Sequence, residues 1–97
     1  MFAGSTAEQA VKNVLEAVTE GKTQSVRKVL FCYDIGMIDS LYGGAATVTV
    51  GKAYKEGTYA GVFVPVELKY KDGKVKKLTV AARNDNKGGA WTIDGGL

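Results

Sequence analysis

Histidine is missing from this chain altogether, and cysteine, proline and tryptophan each occur once in 97 residues. Without histidine, the side chain that most readily carries a proton near neutral pH is gone, and so is the commonest nitrogen ligand for zinc. Cys32, alone, excludes an internal disulfide and, with no histidine to join it, a cysteine–histidine zinc centre. The sequence therefore implies no metal and no cofactor. Cys32 follows Val29-Leu30-Phe31, which predicts a small buried apolar residue rather than a reactive thiol. No apolar run approaches the ~20 residues of a membrane-spanning helix, so no transmembrane segment is expected. Met1-Phe2-Ala3-Gly4-Ser5 is too short and too uncharged for a secretory signal. Two compartments stay open: the cytoplasm, or a periplasmic or other extracytoplasmic space after removal of a signal.

What is present is ordinary for a soluble globular chain: 45% apolar and 24% charged residues, enough for a single domain over 1–97. The hydrophobic period changes once. From Ala7 to about Phe31 the apolar residues recur at helical spacing, and from about Ala46 to Ile93 they alternate at strand spacing. This order predicts an α+β fold, with two N-terminal helices packed on one face of a four-stranded antiparallel sheet. In the first helix Ser5 or Thr6 is the expected N-cap, each with Glu8 or Gln9 three residues on, and Ala7, Ala10, Val11, Val14, Leu15 and Val18 form the buried stripe. Gly21 is the expected stop. A shorter helix from Thr23 would carry Val26, Val29 and Leu30 inward, with Arg27 and Lys28 facing water.

Residues 33–44 are apolar but aperiodic and contain Gly36, Gly43 and Gly44, which predicts a buried loop or a single helical turn. The strands are clearer. Ala46, Val48 and Val50 alternate with Thr47 and Thr49, and a long strand over Thr58–Tyr70 places Val62, Val64, Val66 and Leu68 on the core face, with Phe63, Pro65, Glu67 and Lys69 opposite. Pro65 lacks a ladder donor, so this strand is expected at an edge or bulged there. A three-residue turn with Gly73 left-handed pairs Val66 with Leu78, Val64 with Val80, and Glu67 with Lys77. The last hairpin delivers Trp91 and Ile93 to the core face.

Two helices, a glycine-broken loop and four strands closing on Trp91-Thr92-Ile93-Asp94-Gly95 resemble the NTF2-like superfamily, with its cystatin-like fold. Asp72-Gly73-Lys74 and Gly89-Ala90-Trp91-Thr92-Ile93 are similar to the hairpin and closing motif of a small bacterial, often lipoprotein-anchored group within it. The resemblance implies a helix lying across a curved sheet with a cone-shaped cavity between them, and dimerisation through the open sheet face. The Gln-x-Val-x-Gly loop of the protease-inhibiting cystatins is absent, which discounts that activity.

Loop 33–44 is the first candidate functional region. Tyr33, Asp34, Met37, Asp39 and Tyr42 from this loop, with Tyr54 and Trp91, form the candidate ligand-lining set. A tyrosine donor beside Asp34 or Asp39 as base would allow an isomerase-like proton transfer, as in the ketosteroid isomerase-like relatives. Capping of turns by both aspartates is the favoured explanation, so no catalytic residue is assigned. Residues 67–87 carry seven basic side chains (Lys69, Lys71, Lys74, Lys76, Lys77, Arg83, Lys87) against Glu67, Asp72 and Asp85. That hairpin is a candidate anion-binding surface, though nucleic acid is disfavoured because aromatic residues hardly interleave with it. Phe63, with Thr79 and Ala81 beside it on the wet face, is a candidate homodimer contact. The reading favoured over both the enzyme and the anion binder is a non-enzymatic module that binds a small molecule or peptide, or dimerises.

Overall fold

Residues 6–97 are described by a computed structural model, so Ser5 as a possible N-cap lies outside the described residues. Helix α1 (Ala7–Thr19), a 3-10 turn (Thr23–Val26) and helix α2 (Ile35–Tyr42) precede strands β1 (Ala46–Val50), β2 (Val62–Tyr70), β3 (Val75–Arg83) and β4 (Thr92–Gly95). The strands make one open antiparallel sheet in the order β1-β2-β3-β4. The protein is thus α+β, with helix α1 packed against β1, β2 and β3.

Thr6 caps α1, its side chain accepting from the Gln9 amide at 3.2 Å. The Gln9 side chain does not close a capping box; it donates to Asn13 Oδ1 at 2.7 Å. All six residues of the expected stripe are buried. Ala7, Val11, Val14, Leu15 and Val18 form one core with Val64, Val66, Leu68, Val80, Ala82 and Ile93 from the sheet. Each fully buried valine or leucine there contributes about 1.5–3 kcal/mol of transfer free energy.

The chain between α1 and β1 departs from expectation in three ways. The second helix expected from Thr23 is only a 3-10 turn. No side chain caps it, and the Val29 carbonyl is drawn off the helical path to accept from the Ile93 amide of β4 at 3.2 Å. Residues 33–44, expected as a buried loop or a single helical turn, contain the two-turn helix α2, capped by Asp34 accepting from the Met37 amide at 3.0 Å. Ile38 and Tyr42 face the core from it, while Met37 and Leu41 are exposed. Cys32 is exposed rather than buried, because the turn after Leu30 turns both Phe31 and Cys32 outward.

In the sheet, Val66 pairs with Leu78, Val64 with Val80 and Glu67 with Lys77, around a turn in which Gly73 has φ 92°. Only glycine enters that left-handed region without strain. The strand expected over Thr58–Tyr70 begins later, at Val62. Pro65 is not on an edge strand: β2 lies between β1 and β3. Its missing amide instead falls where β1 has just ended. Gly51 donates to the Pro65 carbonyl at 2.8 Å, and pairing resumes at Tyr54 and Phe63 with one extra residue on the Tyr54 side, a bulge.

Lys76 opposes Leu68 and so lies on the helix-bearing face of the sheet. Its ammonium escapes burial by reaching over the rings of Tyr42 (5.3 Å) and Tyr70 (5.7 Å) to donate to the Leu41 carbonyl in the last turn of α2. A cation there is favourable both to the helix dipole and to the aromatic faces. Tyr70 adds a 2.7 Å bond from its hydroxyl to the Tyr42 carbonyl. Sheet and α2 are clamped together at this end.

Candidate functional site

The residues proposed from sequence as ligand-lining are dispersed. Asp34 caps α2, and Asp39, also exposed, accepts from the Thr23 hydroxyl at 2.9 Å. Neither carboxylate receives a tyrosyl hydroxyl among the described hydrogen bonds. Tyr33 accepts through its hydroxyl from the Leu97 amide at 3.4 Å. Tyr42 sits beneath Lys76, Met37 is 60% exposed, and Trp91 is half-buried against the core near β4. Tyr54 lies elsewhere, paired with Phe63 across the bulge. The inner face of the sheet is filled by its own side chains and those of α1. An open cleft of about 820 Å³ lies instead at the end of the sheet, bounded by Thr19, Gly21, Ala46, Lys69, Tyr70 and Lys71. Of the proposed set, Asp39 borders a hollow of about 200 Å³ between the 3-10 turn and α2.

The assembled feature is on the other side of the sheet. Strand alternation sends Phe63, Pro65, Lys77, Thr79, Ala81 and Arg83 away from α1. Phe63 was expected among small residues; it is flanked by two tyrosines, its ring centroid 5.7 Å from that of Tyr54 and 5.1 Å from that of Tyr59. Both pairs are tilted, within the range where aromatic rings attract. Tyr54 reaches this row through the bulge, and Tyr59 through the turn before β2. Next to the row lies a shallow hollow of about 490 Å³, bounded by Thr49, Gly51, Pro65, Glu67, Lys77 and Thr79. The signal that could have revealed this row was the run of Tyr54, Tyr59 and Phe63 just ahead of Pro65, but it is the bulge that sets Tyr54 opposite Phe63 on one face.

A polar network holds the row in place. The Tyr59 hydroxyl donates to Asp94 Oδ2 at 2.8 Å. The Arg83 guanidinium lies 5.8 Å from the Tyr59 ring, donates from Nε to Asp85 Oδ1 at 2.6 Å, pairs again through Nη2, and is 3.8 Å from Asp94. Arg83 holds the Asp85 carboxyl below its ordinary range. Burial, reinforced by the bond to Asp94, pushes the Tyr59 phenol up to about 12 from its ordinary 10.0. No family model, curated protein or solved structure matches this chain. The surface is therefore interpreted on its own geometry.

That raised phenol has a measurable consequence. Below pH 10 Tyr59 is neutral whether the chain is folded or not. Between about pH 10 and 12 the unfolded chain ionises while the folded one keeps its proton, so stability falls through that window. Tyr59→Phe keeps the ring and removes the proton, and its stability should fall less steeply there. Urea midpoints at a series of alkaline pH values read this directly. Identical slopes for the two proteins would mean the phenol is not held as described.

The basic hairpin offers less free charge than its composition promised. Lys76 is spent on α2, Arg83 on Asp85 and Asp94, and Lys74 lies 4.0 Å from Asp72. No group of three or more potential metal ligands occurs among the described residues. No helix among them is long and apolar enough to cross a membrane.

Proposed function

We propose that this chain is a non-enzymatic interaction module, built on an NTF2-like plan, that self-associates through the sheet face opposite α1. The observation that carries this reading is the aromatic row Tyr54–Phe63–Tyr59 set beside the hollow at Pro65 and Thr79. A two-fold axis between row and hollow lays the row of one copy into the hollow of the other, which is the self-complementarity a symmetric dimer needs. Rigid aromatic side chains lose little entropy on docking, and the Arg83–Asp85–Asp94 network fixes Tyr59 beforehand. Helices on one face and a four-stranded meander support the NTF2-like plan. The small-molecule and peptide ligands of the wider reading find their best-placed surface on this same face.

Sedimentation of two variants tests the proposal. Phe63→Glu buries a charge in this interface and should halve the assembly. Thr79→Glu, on an exposed side chain, should do the same without touching the aromatic pairs. A concentration-dependent assembly that neither variant weakens would remove the outer face as the interface.

A further inference from the structure

The two edges of the sheet are finished differently. On β4 the Ile93 amide is taken by the Val29 carbonyl, the strand has four residues, and its Asp94 is tied into the Arg83 network. β1 has no such cover among the described residues. Gly51 and Ala45 bond across to β2, so the odd-numbered backbone groups of this segment face the ladder and those of Ala46, Val48 and Val50 face outward. No described hydrogen bond reaches them. The strand Ala46-Thr47-Val48-Thr49-Val50 also lacks every device that blunts an edge: it has no charge, no proline and no bulge within it. The ties between α1 and this region stand just outside the strand, Gly44 donating to the Thr19 carbonyl and Ala53 to Glu8, so neither occupies the edge itself.

We infer that β1 pairs antiparallel with β1 of a second copy, joining two sheets into one of eight strands. The occupant follows from the strand's near-palindromic pattern. With the two-fold axis at Val48, Ala46 lies opposite the second copy's Val50 and Val48 opposite its counterpart, continuing the buried face. Thr47 lies opposite the second copy's Thr49 on the solvent face, a favourable cross-strand pair. Each outward residue then exchanges both of its backbone bonds. An isologous contact of this kind closes on itself and does not grow into fibres. It shares only Thr49 and Val50, at the rim of the hollow, with the Phe63 surface, and because both charge variants below carry Thr49→Lys, a difference between them reports the edge contact alone.

The test uses charge at Thr47 and Thr49, which are exposed and stand opposite Lys69 and Glu67 on β2. Thr47→Lys with Thr49→Lys sets like charges against each other across the axis and should weaken the edge contact about tenfold or more, given the ~1.4 kcal/mol per decade of affinity. Thr47→Glu with Thr49→Lys sets opposite charges across the same axis and should retain it. Native mass spectrometry of both, each with and without Phe63→Glu, separates the two interfaces. With Phe63→Glu in place, the inference requires a dimer that the Lys/Lys pair abolishes and the Glu/Lys pair preserves. Amide exchange at Ala46, Val48 and Val50 should be slowed in that dimer and released in the Lys/Lys protein. A Phe63→Glu protein that is already monomeric, or a Lys/Lys protein that assembles as strongly as the parent, overturns the edge contact. The latter result leaves the outer-face reading standing. Loss of assembly in the Lys/Lys protein with none in Phe63→Glu does the reverse.

Discussion

Leu68→Ala is expected to cost about 3–5 kcal/mol, the range for a fully buried leucine whose neighbours cannot collapse into the space it leaves. Leu68 is 0% exposed. It stands on an interior strand, between Val48 on β1 and Lys76 on β3, so neither flank is free to shift without breaking a ladder. A domain of this length holds on the order of 5–15 kcal/mol in total. The variant should therefore unfold at a much lower urea concentration, or be largely unfolded at 37 °C. Leu41→Ala is the matched control, since Leu41 is 46% exposed and its loss should cost under about 1 kcal/mol. Equal losses at the two positions would mean that the core is not where it is placed here.

Gly61→Ala should also be costly, for the opposite reason. A β-carbon at this buried position collides with the Ala82 carbonyl oxygen and comes within 2.8 Å of the Tyr59 ring and 2.9 Å of Arg83 Cβ. Overpacking of this kind costs about 1–3 kcal/mol. Because the obstacle is backbone on one side and the Tyr59–Arg83 pair on the other, the strain should also displace Tyr59 from Phe63. The variant is then expected to lose stability and assembly together. Gly88→Ala, exposed and with only the Asn86 side chain nearby at 3.6 Å, should change neither by more than about 0.5 kcal/mol. Wild-type stability for Gly61→Ala would show that β3 and the turn before β2 are not in such close contact.

The parts of this fold readable in the sequence are those in which one local rule decides. Helix α1 follows from a single apolar stripe and a Thr6 cap, and the β2–β3 register follows from requiring Gly73 to be left-handed while the valines stay on one face. Helix α2 was hidden because Gly36, Gly43 and Gly44 argue against a helix, at about 1 kcal/mol for a glycine in a helix interior. Packing of Ile38 and Tyr42, with the Asp34 cap, outweighs that cost. The cap was visible as an aspartate before an Ile35–Ile38–Tyr42 spacing, and the glycines masked it. Candidate functional residues were less legible still. Proximity in sequence put Tyr33, Asp34, Met37, Asp39 and Tyr42 together, but helix α2 spreads Met37, Asp39 and Tyr42 around its circumference, Asp34 is used to cap it, and Asp39 accepts from the Thr23 hydroxyl. The aromatic row depends on a bulge next to Pro65, where Lys52 and Ala53 face Val64, and no periodicity in the sequence announces where pairing resumes after it.

Native mass spectrometry of the freshly purified chain, followed by the same spectrum for Phe63→Glu, bears most directly on the central claim. The account predicts that the parent appears at an even multiple of the 10.3 kDa chain mass and that Phe63→Glu halves that multiple. A parent that stays at the single-chain mass at every concentration, or an assembly that Phe63→Glu leaves intact, would contradict it.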